Sequence, residues 1–260
     1  MTHLLRRCAV LLGLLALVAC GKPEPAPQIA AAADLRLALT DAAAAFEKET
    51  GEKVVLNFGA SGNLTRQLQQ GAPFELFLSA DESYVTQLAK AGKTRDEGRL
   101  YAIGRLALIA PKGSPLRLDS QLAGLREALA RGDISRFAIA NPEHAPYGRR
   151  AQEALDHAGL WKPLQDKLVL GENVSQALQF ATEGGAQGGI VAHSLVLDPA
   201  VKGRAAYVLI PADWHTPLRQ RMVLMKTAGP VAERFYAYLA GPAAKAIFAK
   251  YGFTLPAGAL

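Results

Sequence analysis

Val54-Val55-Leu56-Asn57-Phe58-Gly59-Ala60-Ser61-Gly62-Asn63-Leu64-Thr65-Arg66-Gln67-Leu68 holds the pattern on which the fold turns. A short apolar, β-branched run gives way to small residues, and Leu64 and Leu68 then recur at helical spacing. The spacing predicts a strand over 54–58, a turn at Ala60-Ser61-Gly62 and a helix carrying both leucines on one face. The same unit recurs on either side. Ile29–Ala33 reads as a strand, and Leu35, Leu39, Ala42 and Phe46 mark a helix face ending at Gly51. Glu75–Ser79 reads as a short strand, after which Asp81 caps a helix through Leu88. Repeated strand–loop–helix units predict an α/β fold with a parallel sheet and helices on its faces.

A second set of units follows. Leu106–Ala110 is a strand closed by Pro111-Lys112-Gly113. Beyond it lie a helix near Asp119–Ala130, a strand Phe137–Ala140, a helix Tyr147–Ala158, a strand Leu168–Leu170, a helix Val174–Thr182 and a strand Gly189–Ala192. Strands near Tyr207–Ile210 and Arg219–Met225 and helices Val231–Leu239 and Pro242–Lys250 complete the chain. The glycine-dense Gly184–Gly189 lacks the Lys-Ser/Thr of a phosphate loop and is read as a turn.

Of the 260 residues, half are apolar and 20% are charged, which excludes disordered and collagen-like chains and allows one large domain or two ordinary ones. Cys8 and Cys20 are the only cysteines, so nothing downstream can form a disulfide or a thiolate metal site. Residues 1–19 read as a signal peptide, with Arg6 and Arg7 ahead of the apolar run Ala9–Ala19. Leu17-Val18-Ala19-Cys20 resembles a bacterial lipobox, in which Cys20 is lipidated, and Pro23, Pro25 and Pro27 stiffen a tether over 20–28. An ordinary cleaved signal peptide is the alternative. Processing removes Arg6 and Arg7 and leaves a net charge of +4, from 27 basic and 23 acidic residues. The basic residues are scattered without interleaved aromatics, which argues against nucleic acid as a partner. An extracytoplasmic, periplasmic, membrane-anchored protein is expected.

Four strand-to-helix turns share one chemistry: Ala33-Asp34, Ala60-Ser61-Gly62, Pro146-Tyr147-Gly148 and Asn173-Val174. A helix start leaves backbone N–H groups unpaired and carries partial positive charge, so it holds an anion without a cation. Two of the turns lie in each set of units. Local readings exist for each: Ser61 as an N-cap, Asn173 with Gln176 as a capping box, Tyr147 as a packed ring with a solvated hydroxyl.

Several stretches resemble the ModA-type family of molybdate-binding proteins of ABC importers. They are Ala31-Ala32-Ala33-Asp34-Leu35, Phe58-Gly59-Ala60-Ser61-Gly62-Asn63-Leu64, and Gly71-Ala72-Pro73-Phe74-Glu75-Leu76-Phe77-Leu78-Ser79-Ala80-Asp81. Asn141-Pro142-Glu143-His144-Ala145-Pro146-Tyr147-Gly148, Gly189-Ile190-Val191-Ala192 and Phe248-Ala249-Lys250-Tyr251-Gly252-Phe253 complete the set. The resemblance implies a two-lobed periplasmic-binding-protein (type II) fold with the ligand in the interlobe cleft. The first lobe would span 29–104 and 212–260, the second 105–211. It implies high-affinity binding of molybdate, and of tungstate, for delivery to an ABC permease in the inner membrane, by a monomer without a cofactor. Carried over by motif, the ligand contacts are Asp34, Ser61, Tyr147 and Val174. Phosphate or sulfate is the alternative ligand.

Two positions depart from the family. Ala192 stands where a tyrosine is common, and the Tyr147 hydroxyl is expected to take over that role. Asp34 stands where Ser or Thr is common, and a carboxylate about 4 Å from a dianion is repelled by several kcal/mol. Asp34 is therefore expected to turn away and cap its helix, leaving binding nearly independent of pH between 6 and 8. The second alternative is a proton shared with the ligand. Arg36 is a poor partner for Asp34, because residues i and i+2 point apart on a helix. Arg149 and Arg150 are read as a solvated helix face.

A serine hydrolase is the remaining alternative. Gly59-Ala60-Ser61-Gly62-Asn63 falls one glycine short of the nucleophile elbow, and His144 could act as a base only if folding brings it to Ser61. His144, His157, His193 and His215 lack zincin spacing. A binding protein, not an enzyme, is expected.

Overall fold

The computed structural model describes residues 25–256. The expected signal peptide, the expected lipidation site Cys20 and the first part of the expected tether lie outside the described residues. Strand β1 (Gln28–Ala32) runs through a single 3-10 turn at Ala33–Leu35 into α1 (Arg36–Thr50). The opening stretch forms β2 (Val55–Gly59) and α2 (Ser61–Gln69). Next come β3 (Phe74–Ser79) and α3 (Glu82–Lys90), where Asp81 accepts the Ser83 N–H at 2.9 Å as the helix cap. β4 (Arg99–Gly104) was not expected from the sequence. Its apolar run Leu100–Ile103 is short and lies between Gly98 and Gly104.

Folding then moves to a second sheet. It contains β5 (Leu106–Pro111), α4 (Ala123–Ala130), β6 (Phe137–Ala140), α5 (Pro146–His157) and the single turn α6 (Trp161–Leu164). β7 (Leu168–Gly171), α7 (Val174–Thr182), β8 (Gly188–Ala192), the short α8 (His193–Val196) and β9 (Ala205–Leu209) follow. The chain returns through β10 (Leu218–Leu224) and ends with α9 (Pro230–Leu239) and α10 (Pro242–Lys250). Helix α4 starts later than Asp119 because the Asp119 carboxylate accepts the N–H groups of Gln121, Ala123 and Gly124, making 119–122 a capping turn.

Each sheet has five strands, ordered β2-β1-β3-β10-β4 and β7-β6-β8-β5-β9. β1, β2 and β3 are parallel, as are β6, β7 and β8, but β10 and β5 run antiparallel to both neighbours. Four strands of each five therefore run one way, and the expectation of a parallel sheet fails only at the one reversed strand in each. In each sheet one strand enters along a crossing from the other sheet and so runs the opposite way. The two crossings touch where Ile210 N–H donates to Leu106 O at 3.1 Å and Arg105 Nη2 donates to Ile210 O at 3.2 Å.

Both faces of the first sheet are covered, which explains its unbroken apolar strands. Leu76 and Leu78 of β3 join Ile29, Phe46 and Phe235, with the last two rings edge-on at 5.1 Å. Phe77, between them in sequence, packs with Leu64, Leu68, Val85 and Leu88 of α2 and α3. This packing leaves the C-terminal ends of β1, β2, β6 and β7 feeding the four helix starts singled out above.

Candidate functional site

A small cavity lies between the sheets, and all four turns line it. Ala33 and Asp34 come from the end of β1, Ala60 and Ser61 from β2, Pro146 and Tyr147 from the loop after β6, and Asn173 and Val174 from β7. The lining holds no Lys, Arg or His. The close approach of α5 to β6 requires Gly148, where an added Cβ would sit 2.0 Å from Ala140 O.

Backbone amides supply the polarity. Among the described residues, no protein acceptor takes the N–H of Ser61, Tyr147 or Val174. The start of α7 differs from the others, since Asn173 Oδ1 accepts the N–H groups of Ser175 and Gln176 at 3.0 and 3.1 Å. Gln176 completes a modified box by accepting the Glu172 N–H, not that of Asn173. Ser61 is the first residue of its helix and not its cap, which is Ala60. Its Oγ accepts the Ala80 N–H at 3.0 Å, which leaves the hydroxyl proton available as a donor.

Asp34 corrects the expectation from sequence. It is 1% exposed and makes no capping bond at either helical segment beside it. Instead Oδ2 accepts from the Tyr147 hydroxyl at 3.0 Å and from Gln220 Nε2 at 2.5 Å. Its carbonyl accepts from Ser194 Oγ at 2.7 Å. Burial raises its pKa to about 6, with hydrogen bonds from Gln220 and Tyr147 opposing the rise. Tyr147 thus has its hydroxyl on Asp34 and not in solvent; Ala192 is fully buried in β8 and does not line the cavity.

Residues that the sequence reading missed complete this cluster. Gln220 shares the buried face of β10 with Leu218 and Met222, so strand alternation alone marks it as an inward polar residue. Tyr101 belongs to the overlooked β4 and donates to Gln220 Oε1 at 2.8 Å. Ser194 carries no sequence signal of its own.

The two sides of the cavity are tied together. Gly62 N–H donates to His144 O at 3.0 Å, and Ser175 Oγ to Ala33 O at 3.1 Å. Arg149 Nη2 donates to the Tyr84 hydroxyl at 3.0 Å, and Arg150 Nη2 lies 2.8 Å from Asp81 Oδ2. Arg150 is only 8% exposed, so the expected solvated face is instead an interlobe contact. Arg36 lies over the Phe58 ring, away from Asp34. Folding does bring His144 beside the Ser61 turn, but its Nε2 contacts the Glu172 carbonyl at 3.0 Å and forms no Ser–His pair.

Two α/β lobes joined by paired crossings, closed on a small cavity of backbone donors, define a cleft-binding receptor for a small solute. The chain belongs to the bacterial extracellular solute-binding protein family, whose model matches residues 27–254. It is 38% identical to the molybdate-binding protein ModA of Azotobacter vinelandii over 98% of this chain and 100% of that one. It is 35% identical to ModA of Rhodobacter capsulatus, covering 92% of this chain and 87% of the relative. The solved structure of the Azotobacter vinelandii periplasmic molybdate-binding protein superposes with a TM-score of 0.81 at 32% identity, over 88% of this chain and 99% of that one. Members of this family bind solutes; they are not enzymes.

Proposed function

We propose that this chain captures molybdate, and tungstate with it, and hands the oxyanion to an ABC permease in the inner membrane. The carrying observation is the convergence of unpaired N–H groups from both lobes on one cavity whose lining holds no cation. Neutral donors replace the hydration shell of a dianion without the deep well of a salt bridge, so release to a permease stays possible. Ser61 contributes its hydroxyl and N–H, Tyr147 and Val174 their N–H groups, and Asp34 lines the same wall. The ligand bridges the lobes only when they are shut and so biases an open–closed equilibrium. The first lobe comprises 29–104 and 212–260 and the second 105–211. The monomer hangs from a membrane through a lipid on Cys20, a reading supported by Leu17-Val18-Ala19-Cys20 and the proline-rich tether.

Thermal unfolding with molybdate, tungstate, sulfate or phosphate at equal concentration tests this. A ligand at a thousand times its dissociation constant stabilises the fold by about 4 kcal/mol, which raises Tm by on the order of 10 °C. Molybdate and tungstate are expected to give that shift. A larger shift with sulfate or phosphate would overturn the choice of ion, and no shift with any of the four would overturn oxyanion binding.

A further inference from the structure

Asp34 is the one carboxyl group lining the cavity, and its two oxygens are not equivalent. Oδ2 accepts two hydrogen bonds, from Tyr147 and Gln220. Tyr101 sets the orientation of the Gln220 amide by donating to its oxygen, which turns the nitrogen toward Asp34. Oδ1 is buried and receives no hydrogen bond from any described residue. With both lone-pair directions of Oδ2 facing donors, a proton on this carboxyl belongs on Oδ1.

Among the described residues no cationic side chain pairs with Asp34: Arg105, next to the cluster on the crossing, donates to Ile210 O. Arg36 of α1 lies over Phe58, and His193 of α8 faces Gly252 O. On α5, Arg149 is taken by Tyr84 and Arg150 by Asp81 and Glu153. On β10, Arg219 and Arg221 pair with Glu82, and on β4 Arg99 lies over Tyr236. β2 and α7 carry no ionisable side chain. The titratable groups touching this cluster are Tyr147 and Tyr101, and burial holds both in the protonated form. An anion entering this cavity therefore meets either a bare carboxylate or a carboxylic acid that can donate to it.

We propose that Asp34 takes one proton from solvent onto Oδ1 as the oxyanion enters and donates it in a hydrogen bond to an anion oxygen, so that each dianion captured carries a proton into the closed cleft. Only an O–H bond forms, and the proton comes from the buffer. Gln220 and Tyr101 act as positioning residues that keep Oδ2 occupied and leave Oδ1 toward the ligand. This inference rests on the oxyanion reading above. Because the carboxyl is ionised in the free protein above about pH 6 and protonated in the complex, affinity falls about tenfold per pH unit there.

The test is calorimetric titration of the mature chain with sodium molybdate between pH 6.5 and 8.5, repeated in buffers of different ionisation enthalpy. The expected result is uptake of close to one proton per molybdate at pH 7.5 and a Kd about tenfold weaker at pH 8 than at pH 7. Asp34→Asn, which keeps a donor at the Oδ1 position, is expected to bind with no proton uptake and with a pH-independent Kd. Molybdate binding by the parent chain with no proton uptake overturns the inference and leaves the oxyanion reading standing. Absence of molybdate binding by both proteins at every pH overturns the oxyanion reading itself.

Discussion

Replacing Asp81 with Asn isolates the charge that ties the lobes together. In the closed structure Asp81 Oδ2 lies 2.8 Å from Arg150 Nη2, and the two side chains are 11% and 10% exposed. Its other oxygen, Oδ1, independently caps α3 through the Ser83 N–H. Asn caps helices as well as Asp does, so the substitution keeps α3 and removes only the attraction across the cleft. A hydrogen bond to a charged group contributes about 1.5–3 kcal/mol. Glu153, 2.5 Å from Arg150 Nη1, still compensates the guanidinium in the variant, which points to the lower end. In the open–closed equilibrium proposed above the Asp81–Arg150 pair forms only on closure, so the loss is charged wholly to binding. At about 1.4 kcal/mol per decade, Asp81→Asn weakens molybdate binding about tenfold. Titration calorimetry of both proteins in 0.15 M salt reads this directly, with circular dichroism verifying that helix content is unchanged. A Kd within twofold of the parent's would refute the assignment of this pair to closure.

Two further substitutions probe the same cleft. An added Cβ at Gly62 would sit 2.7 Å from His144 O and 2.9 Å from the Tyr84 hydroxyl, so Gly62→Ala wedges the lobes apart. Overpacking of about 1–3 kcal/mol confined to the closed form weakens molybdate binding by roughly tenfold or more, while the ligand-free Tm stays within about 2 °C; unchanged affinity would contradict the wedge. The second concerns stability against pH in the ligand-free protein. Asp34 titrates at about 6 when folded, against an ordinary value of 3.8. Between those values the folded chain keeps a proton that the unfolded chain has lost, so stability declines as pH rises through about 6 and the penalty is complete above it. Asp34→Asn carries no charge at any pH and escapes the penalty, which is on the order of 3 kcal/mol for a shift of about two units. Its Tm advantage over the parent should be near zero at pH 4 and largest at pH 8; an advantage that does not grow with pH would count against the burial of the ionised carboxylate.

Much of the fold is local and could be read from the chain. Phe137–Ala140 and Val174–Thr182 form with the boundaries expected, because apolar runs and caps such as Asn173 act within about four residues. The four helix starts were legible for the same reason: small residues after a strand leave amide groups unpaired wherever the helix finally packs. β4 was missed because a four-residue apolar run between glycines does not distinguish a strand from a loop.

The site's electrostatics were not local. Asp34 meets Gln220 across 186 residues of sequence and Tyr147 across 113, and neither partner is marked by periodicity around Asp34. The sequence by itself determined alternating strands and helices and paired helix starts suited to an anion. Only the tertiary structure decided that Asp34 faces Tyr147 and Gln220 and caps nothing, that Ser61 accepts from Ala80, that Arg150 is buried against Asp81, and that β5 and β10 run antiparallel. Propensity and capping are settled by neighbours a few residues away. The partner of a buried polar group is settled by which elements the crossings bring face to face, and by the cost of leaving that group unpaired.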